Sequence, residues 1–162
     1  MIPIHVRSAR SESDWQAVQA LRVAVFVSEQ GLPAAAEFDA HDASATHAAA
    51  LDSGGIVVGT GRLYRDANDE ARVGRMAVRR DMRRCGIGAA VLEWLEDRAL
   101  EQGTTEVVVH AQAYLESFYA RHGYIVDGPP FEEDGLQHLR MTKTLAISSQ
   151  APEPASALAR KE

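Results

Sequence analysis

Apolar and polar residues alternate from Ile2 to Ser8, the period of a strand with one buried face. Ser11 followed by Asp14 makes a capping-box-like helix start. Trp15, Val18, Leu21, Arg22 and Val25 then recur at helical spacing, which predicts a helix to about Phe26. Gly31-Leu32-Pro33 ends it, and 34–45 shows no clear period, so a loop with a short helical turn is expected there. Thr46 to Leu51 and Ile56 to Tyr64 flank the turn signal Asp52-Ser53-Gly54-Gly55 and predict a hairpin. Ala71 to Val78 predicts a further strand after a turn at 66–69. Ile87, Val91, Trp94, Leu95 and Ala99 share one helical face, with Gly103 where a C-terminal cap belongs. Glu106 to His110 reads as a short strand buried on both faces. Leu115, Phe118 and Tyr119 mark a helix over 112–122 that stops at Gly123, and 124–126 and 138–145 predict the last strands.

The predicted order is β-α-β-β-β-α-β-α-β-β, a mixed α/β (α+β) architecture in one domain over residues 1–147. The tail, 148–162, carries Pro152 and Pro154 and is expected to be disordered.

Composition narrows the function classes. A chain of 162 residues, 46% hydrophobic and 25% charged, is ordinary globular material with room for a core. Nothing approaches the roughly 18 uninterrupted apolar residues of a membrane span, so no membrane partner is expected. Cys85 is the only cysteine, which rules out an intrachain disulfide and makes a cytoplasmic address the default. A net charge of −6 disfavours nucleic acid as a partner. The charge is uneven, however: Arg72, Arg75, Arg79, Arg80, Arg83 and Arg84 face one nearby acid, Asp81. Acids gather at Glu29, Glu37, Asp39 and Asp42 and again at Glu132, Glu133 and Asp134. A local basic site suggests an anionic small molecule, and the acidic stretches suggest a cationic partner elsewhere. Six histidines show no metal-ligand spacing, so no metal is expected.

The chemistry concentrates at Arg83-Arg84-Cys85-Gly86-Ile87-Gly88, between a predicted strand and a predicted helix. A helix start has unpaired N–H groups and partial positive charge, which together bind phosphate. Gly86 and Gly88 let backbone approach an anion, and Arg83 and Arg84 add fixed charge. No P-loop run is present, and the third small residue of a dinucleotide fingerprint is replaced by Val91.

The hexapeptide fits [QR]-x-x-G-x-[GA], and on it the chain resembles the GCN5-related N-acetyltransferase (GNAT) superfamily. The resemblance covers about residues 2–145 and is greatest to the ElaA-like branch. It is carried by Leu21-Arg22-x-x-Val25-Phe26-Val27-x-Glu29-Gln30-Gly31, Glu37-x-Asp39-x-x-Asp42, His47, Gly59-Thr60-Gly61-Arg62-Leu63, Gly74 to Val78, Ala111-Gln112, and Phe118-Tyr119-x-x-x-Gly123-Tyr124. Glu132-Glu133-Asp134-Gly135-Leu136-Gln137-His138 departs from the branch's usual Gly-Ile-Pro-His ending, because Gln137 lacks proline's fixed φ.

The resemblance implies the GNAT fold, acetyl-CoA as co-substrate and a small-molecule or peptide amine as acceptor, with direct transfer between them. It implies that Met76, Ala77 and Val78 hold the pantetheine arm, with the Val78 N–H facing the thioester carbonyl. The loop of Arg83, Arg84, Cys85, Gly86, Ile87, Gly88 and Ala89 would hold the pyrophosphate, with Gln112 and Ser117 also at the coenzyme. Tyr119 occupies the place of a tyrosine general acid; the competing reading is core packing beside Phe118. Glu29 is the first candidate base, with Asp39, His41 and His138 as alternatives and an ordered water as another. Homodimers are common in the superfamily, and one is open here. Two rival functions share the fold: an acyl-homoserine-lactone-synthase-like acyltransferase, suggested by Arg22, Val25 and Phe26 with the acids that follow, and a non-catalytic acyl-CoA-binding module.

Overall fold

Ser11 opens the first helix, α1 (Glu12–Arg22), by accepting the Asp14 N–H at 3.0 Å on its hydroxyl. Glu12 and Asp14 in the first turn complement the helix dipole. The helix does not run on as α to Phe26; Val23–Glu29 form a π-helical stretch. The wider turn buries Val25 and Phe26, and Glu29 and Gln30 at its end line the same cleft. The computed structural model describes residues 2–146, so the tail expected to be disordered lies outside the described residues.

The expected loop at 34–45 holds a short helix, α2 (Ala34–Glu37), and a 3-10 turn, Ala40–Ala43, capped by Asp39. Strands β1 (His5–Ser8), β2 (Thr46–Leu51), β3 (Val57–Arg65) and β4 (Ala71–Val78) pair antiparallel in that order. Helix α3 (Ile87–Glu101) leads to β5 (Glu106–Gln112), which lies parallel to β4. A 3-10 turn (Ala113–Leu115) precedes α4 (Glu116–Arg121), and β6 (Ile125–Val126), β7 (Phe131–Glu133) and β8 (Leu136–Thr144) follow. The sheet order is β1-β2-β3-β4-β5-β8-β6, with β7 also paired to β8. The three-residue β7 was not expected; Pro129 and Pro130 hid it, and only Phe131 is apolar.

The two sheet faces carry different layers. The main core joins α3 to Val58, Leu63, Val73, Val107, Val109, Leu139 and Met141. Close approach of α3 explains Gly59-Thr60-Gly61. A Cβ on Gly59 would lie 2.5 Å from Ile87 Cγ2, and one on Gly61 would lie 2.5 Å from Met76 Sδ and 2.9 Å from Leu95 Cδ1. On the opposite face a smaller cluster joins Leu21, Val25 and Phe26 to Ala77. Since side chains alternate along strands, Arg62, Tyr64, Arg72, His110 and His138 share that second face, each one residue from a main-core position.

Candidate functional site

The two central strands part company halfway. Ala71, Arg72 and Val73 pair with Val107, Val108 and Val109, and beyond Val73 no residue of β4 pairs with β5. The cause is a bulge on β4: Thr60 faces Ala77 and Arg62 faces Gly74, so β4 uses one residue more than β3. Arg75 sits in it at φ 50°, a left-handed conformation that costs about 1–3 kcal/mol in a non-glycine residue. Its side chain fixes it there, with Nε donating to the Glu37 carbonyl at 3.0 Å and Nη2 to the Ala36 carbonyl at 3.3 Å.

The split exposes selected backbone groups. The Arg79 N–H donates to the Val58 carbonyl at 2.9 Å, so by alternation the Ala77 N–H also points at β3 and the Val78 N–H points away from it, into the split. The Val78 carbonyl is taken by Arg83 Nε at 3.0 Å, leaving the N–H as the free group.

Below the split, α3 begins without a side-chain cap and with no acid in its first turn. Its first helical bond runs from the Ala90 N–H to the Gly86 carbonyl at 3.1 Å, so the N–H groups of Ile87, Gly88 and Ala89 have no helical acceptor. Gly86 takes φ 82°, with open space where a Cβ would project. A Cβ on Gly88 would come within 3.4 Å of Phe118 Cζ, so glycine keeps the passage between α3 and α4 clear. Bare N–H groups, open space and adjacent arginines fit a diphosphate. These features open into one cleft of about 870 Å³ that reaches from Arg83 to His138. Tyr119 lines it from α4. Its ring packs edge-on to Phe118 and Tyr124, and its hydroxyl has no hydrogen-bond partner among the described residues. Burial pushes the phenol up, so it is protonated at neutral pH.

The profile of the Acetyltransferase (GNAT) domain matches residues 11–145. The chain belongs to the GNAT acetyltransferase family. It is 31% identical over 136 residues to the uncharacterized N-acetyltransferase YjcF of Bacillus subtilis (strain 168), covering 83% of this chain and 96% of YjcF. Among solved structures it resembles a provisionally assigned N-acetyltransferase from Lactobacillus plantarum, 32% identical, with TM-score 0.81 over 88% of this chain and 99% of that one. It also resembles Escherichia coli ElaA, 28% identical, with TM-score 0.75 over 88% and 99%. GNAT acetyltransferases use acetyl-CoA and act on amines. No helix among the described residues of this acetyltransferase is long and apolar enough to cross a membrane.

In this acetyltransferase the cleft brings together Glu29, Met76, Ala77, Val78, Arg83, Arg84, Gly86, Ile87, Gly88, Ala89, Gln112, Ser117 and Tyr119. Cys85 stands apart. It packs against the main core, and its Sγ lies 3.6 Å from the Arg83 carbonyl. Asp39 and His41 do not line the cleft; His138 does. Asp39 instead accepts from Arg62 at 2.7 and 2.9 Å, and that hydrogen bonding holds its carboxyl well below the usual range. His41 stacks on Tyr64 at 4.2 Å. Within the first acidic stretch, Glu37, Asp39 and Asp42 are paired internally with Arg22, Arg62 and Arg75.

Glu29 is committed as well. Its two oxygens accept from Arg83 Nη1 and Nη2, each at 2.9 Å, within the cleft. A second clasp joins Gln30 to Gln112 at 2.9 Å and to Tyr114 Oη at 3.3 Å. A diphosphate bound at the start of α3 would compete with Glu29 for Arg83. The pair is partly exposed, and such pairs contribute about 0–1 kcal/mol. Glu29→Gln therefore tightens acetyl-CoA binding by up to about fivefold and steepens its salt dependence, because the freed guanidinium meets the anion with no carboxylate to displace, as isothermal titration at two ionic strengths would show.

Sequence reading missed Tyr64, Arg72 and His110 as cleft residues. The signal was alternation. On β5, Val107, Val109 and Ala111 belong to the main core, which sends His110 and Gln112 to the other face.

Proposed function

We propose that this protein transfers the acetyl group of acetyl-CoA directly to a primary amine, and the observation that carries this is the split between β4 and β5 ending at the uncapped start of α3. The bare N–H groups of Ile87, Gly88 and Ala89 bind the diphosphate, with Arg83 and Arg84 alongside. Met76 and Val78 border the pantetheine arm, with Gln112 and Ser117 on the facing wall, while Ala77 gives its backbone to β3. The Val78 N–H donates to the thioester oxygen as negative charge develops on it. Tyr119 delivers its proton to the departing sulfur. Glu29 acts as the counter-ion of Arg83, which the incoming diphosphate displaces. The lone Cys85 accords with a reducing, cytoplasmic setting.

Calorimetric titration with acetyl-CoA tests the coenzyme site, and thiol release over a panel of amines tests the transfer. Binding accompanied by amine-dependent thiol release is expected. Absence of both heat and thermal protection at millimolar coenzyme would end the reading.

A further inference from the structure

Four carboxylates line the cleft: Glu29, Glu37, Glu133 and Asp134. Glu29 is held by Arg83, and Glu37 accepts from Arg22 Nε at 2.7 Å. Glu133 is different. Its Oε1 lies 3.6 Å from His110 Nδ1 and its Oε2 lies 3.9 Å from His138 Nε2, beyond hydrogen-bonding distance in each case.

The tautomers sharpen the point. Arg72 Nη2 lies 2.7 Å from His110 Nδ1, and a guanidinium only donates, so that nitrogen carries no proton to offer Glu133. His138 Nδ1 lies 2.8 Å from the Leu136 carbonyl, which only accepts, so Nδ1 holds the proton of the neutral ring and Nε2 holds a lone pair. In that neutral form Glu133 Oε2 and His138 Nε2 are two acceptors facing each other across 3.9 Å. His138 is held rigidly. It is 6% exposed, and its ring stacks on Phe131 at 5.7 Å, while His110 meets Phe131 edge-on at 5.0 Å. Two converging acceptors, one on a rigidly held ring beside Phe131, call for a ligand with several N–H donors and positive charge.

We propose that Glu133 and His138 form the acceptor subsite: a primary alkylammonium sits between Glu133 Oε2 and His138 Nε2, and His138 takes its proton. The proposal rests on the acetyl-transfer reading above. One proton passes from the ammonium nitrogen to His138 Nε2 and on to water. The freed lone pair forms the C–N bond at the thioester carbon, and the C–S bond breaks. Tyr119 protonates the sulfur and recovers a proton from the nitrogen, now in the amide. The sum is alkylammonium plus acetyl-CoA giving amide, CoA thiol and one proton. His110, locked by Arg72, keeps its own Nδ1 out of competition for the ammonium's place.

The charged and titratable groups lining the cleft around His138 are Glu133 on β7, Asp134 in the turn that follows it, His110 on β5, Arg72 on β4 behind His110, and Tyr114 on the 113–115 turn; β6 contributes none.

The test uses Glu133→Gln and His138→Asn in the full chain, with n-butylamine, phenethylamine and cadaverine as acceptors and zwitterionic 5-aminovalerate as a carboxylate-bearing control. Glu133→Gln keeps size and should raise the amine KM about tenfold or more with little change in kcat. His138→Asn keeps a donor for the Leu136 carbonyl but lacks Nε2. It should lower kcat about 100-fold and remove the fall of kcat on the acid side of the pH profile. Neither should change coenzyme affinity. An unchanged KM in Glu133→Gln, or an unchanged pH profile in a folded His138→Asn, overturns the subsite. Coenzyme binding by the native protein with no turnover of any of the three amines overturns it too, leaving the coenzyme site standing. Absence of coenzyme binding overturns the transfer reading itself.

Discussion

Tyr119→Phe should lower kcat by about 100- to 10,000-fold while acetyl-CoA affinity stays within about twofold. The substitution removes one hydroxyl and nothing else. The ring is 5% exposed and keeps its edge-on contacts with Phe118 and Tyr124, at 5.1 and 5.6 Å. Since the hydroxyl has no partner among the described residues, its loss strands no buried donor or acceptor, and the melting temperature should hold or rise slightly. Tyr124 provides the contrast. Its hydroxyl donates to Glu96 Oε2 at 2.8 Å, with Lys143 on the other oxygen, so it is a structural phenol committed to holding β8 against α3. Two tyrosines five residues apart thus have opposite assignments, decided by whether the oxygen is already bonded. Steady-state thiol release on native and variant protein, with calorimetric affinities, checks the prediction. Turnover within threefold of native would remove Tyr119 from the reaction.

Much of this was legible in the sequence because it depends on local rules. The stretch from Gly86 to Ala99 announces a glycine-led amphipathic helix, and the helix begins at Ile87. Ala71–Val78 was read with the bounds the structure gives it. What escaped depends on pairing between distant segments. Glu29 read as a candidate base because nothing in the sequence brings Arg83 to it across 54 positions. Asp39 and Asp42 read as part of an acidic edge because a charge count cannot show that Arg62, in the middle of an apolar strand, is buried and pointed at them. His110 was taken as the end of an apolar strand, although its place on the second face makes it a wall of the cleft. Periodicity assigns a side chain to a face; only the folded sheet shows what waits on that face.

Arg62→Met should destabilise the protein by about 3–5 kcal/mol, the range for removing one partner of a buried ion pair. For a domain of this size that lowers the melting temperature by roughly 6–20 °C. Arg62 is 2% exposed; Nη1 reaches Asp39 and Asp42 at 2.7 Å each, and its guanidinium lies 4.6 Å from the Tyr64 ring. Methionine fills similar space but leaves two acids with Arg22 and Arg75 alone for company. The loss is local in its consequences. Asp39 caps the 3-10 turn that joins α2 to β2, and Arg75, which holds the β4 bulge, is tied to Asp39 at 3.4 Å. The cluster thus connects stability to the cleft, and coenzyme affinity should fall along with melting temperature. The pH dependence has a definite sign. Hydrogen bonding from Arg62 lowers the Asp39 carboxyl, and for Asp42 the arginines outweigh a burial effect that would raise it. Such depressed groups contribute stability that is complete above the unfolded value near ~3.9 and is lost as pH falls through the folded value. Glu37 opposes them, since burial raises it and protonation relieves that cost. The gap between native and Arg62→Met should therefore be widest above about pH 4 and narrow in acid, as urea unfolding at several pH values would show. A gap that widened in acid would mean that the three arginines are not what holds these carboxylates in place.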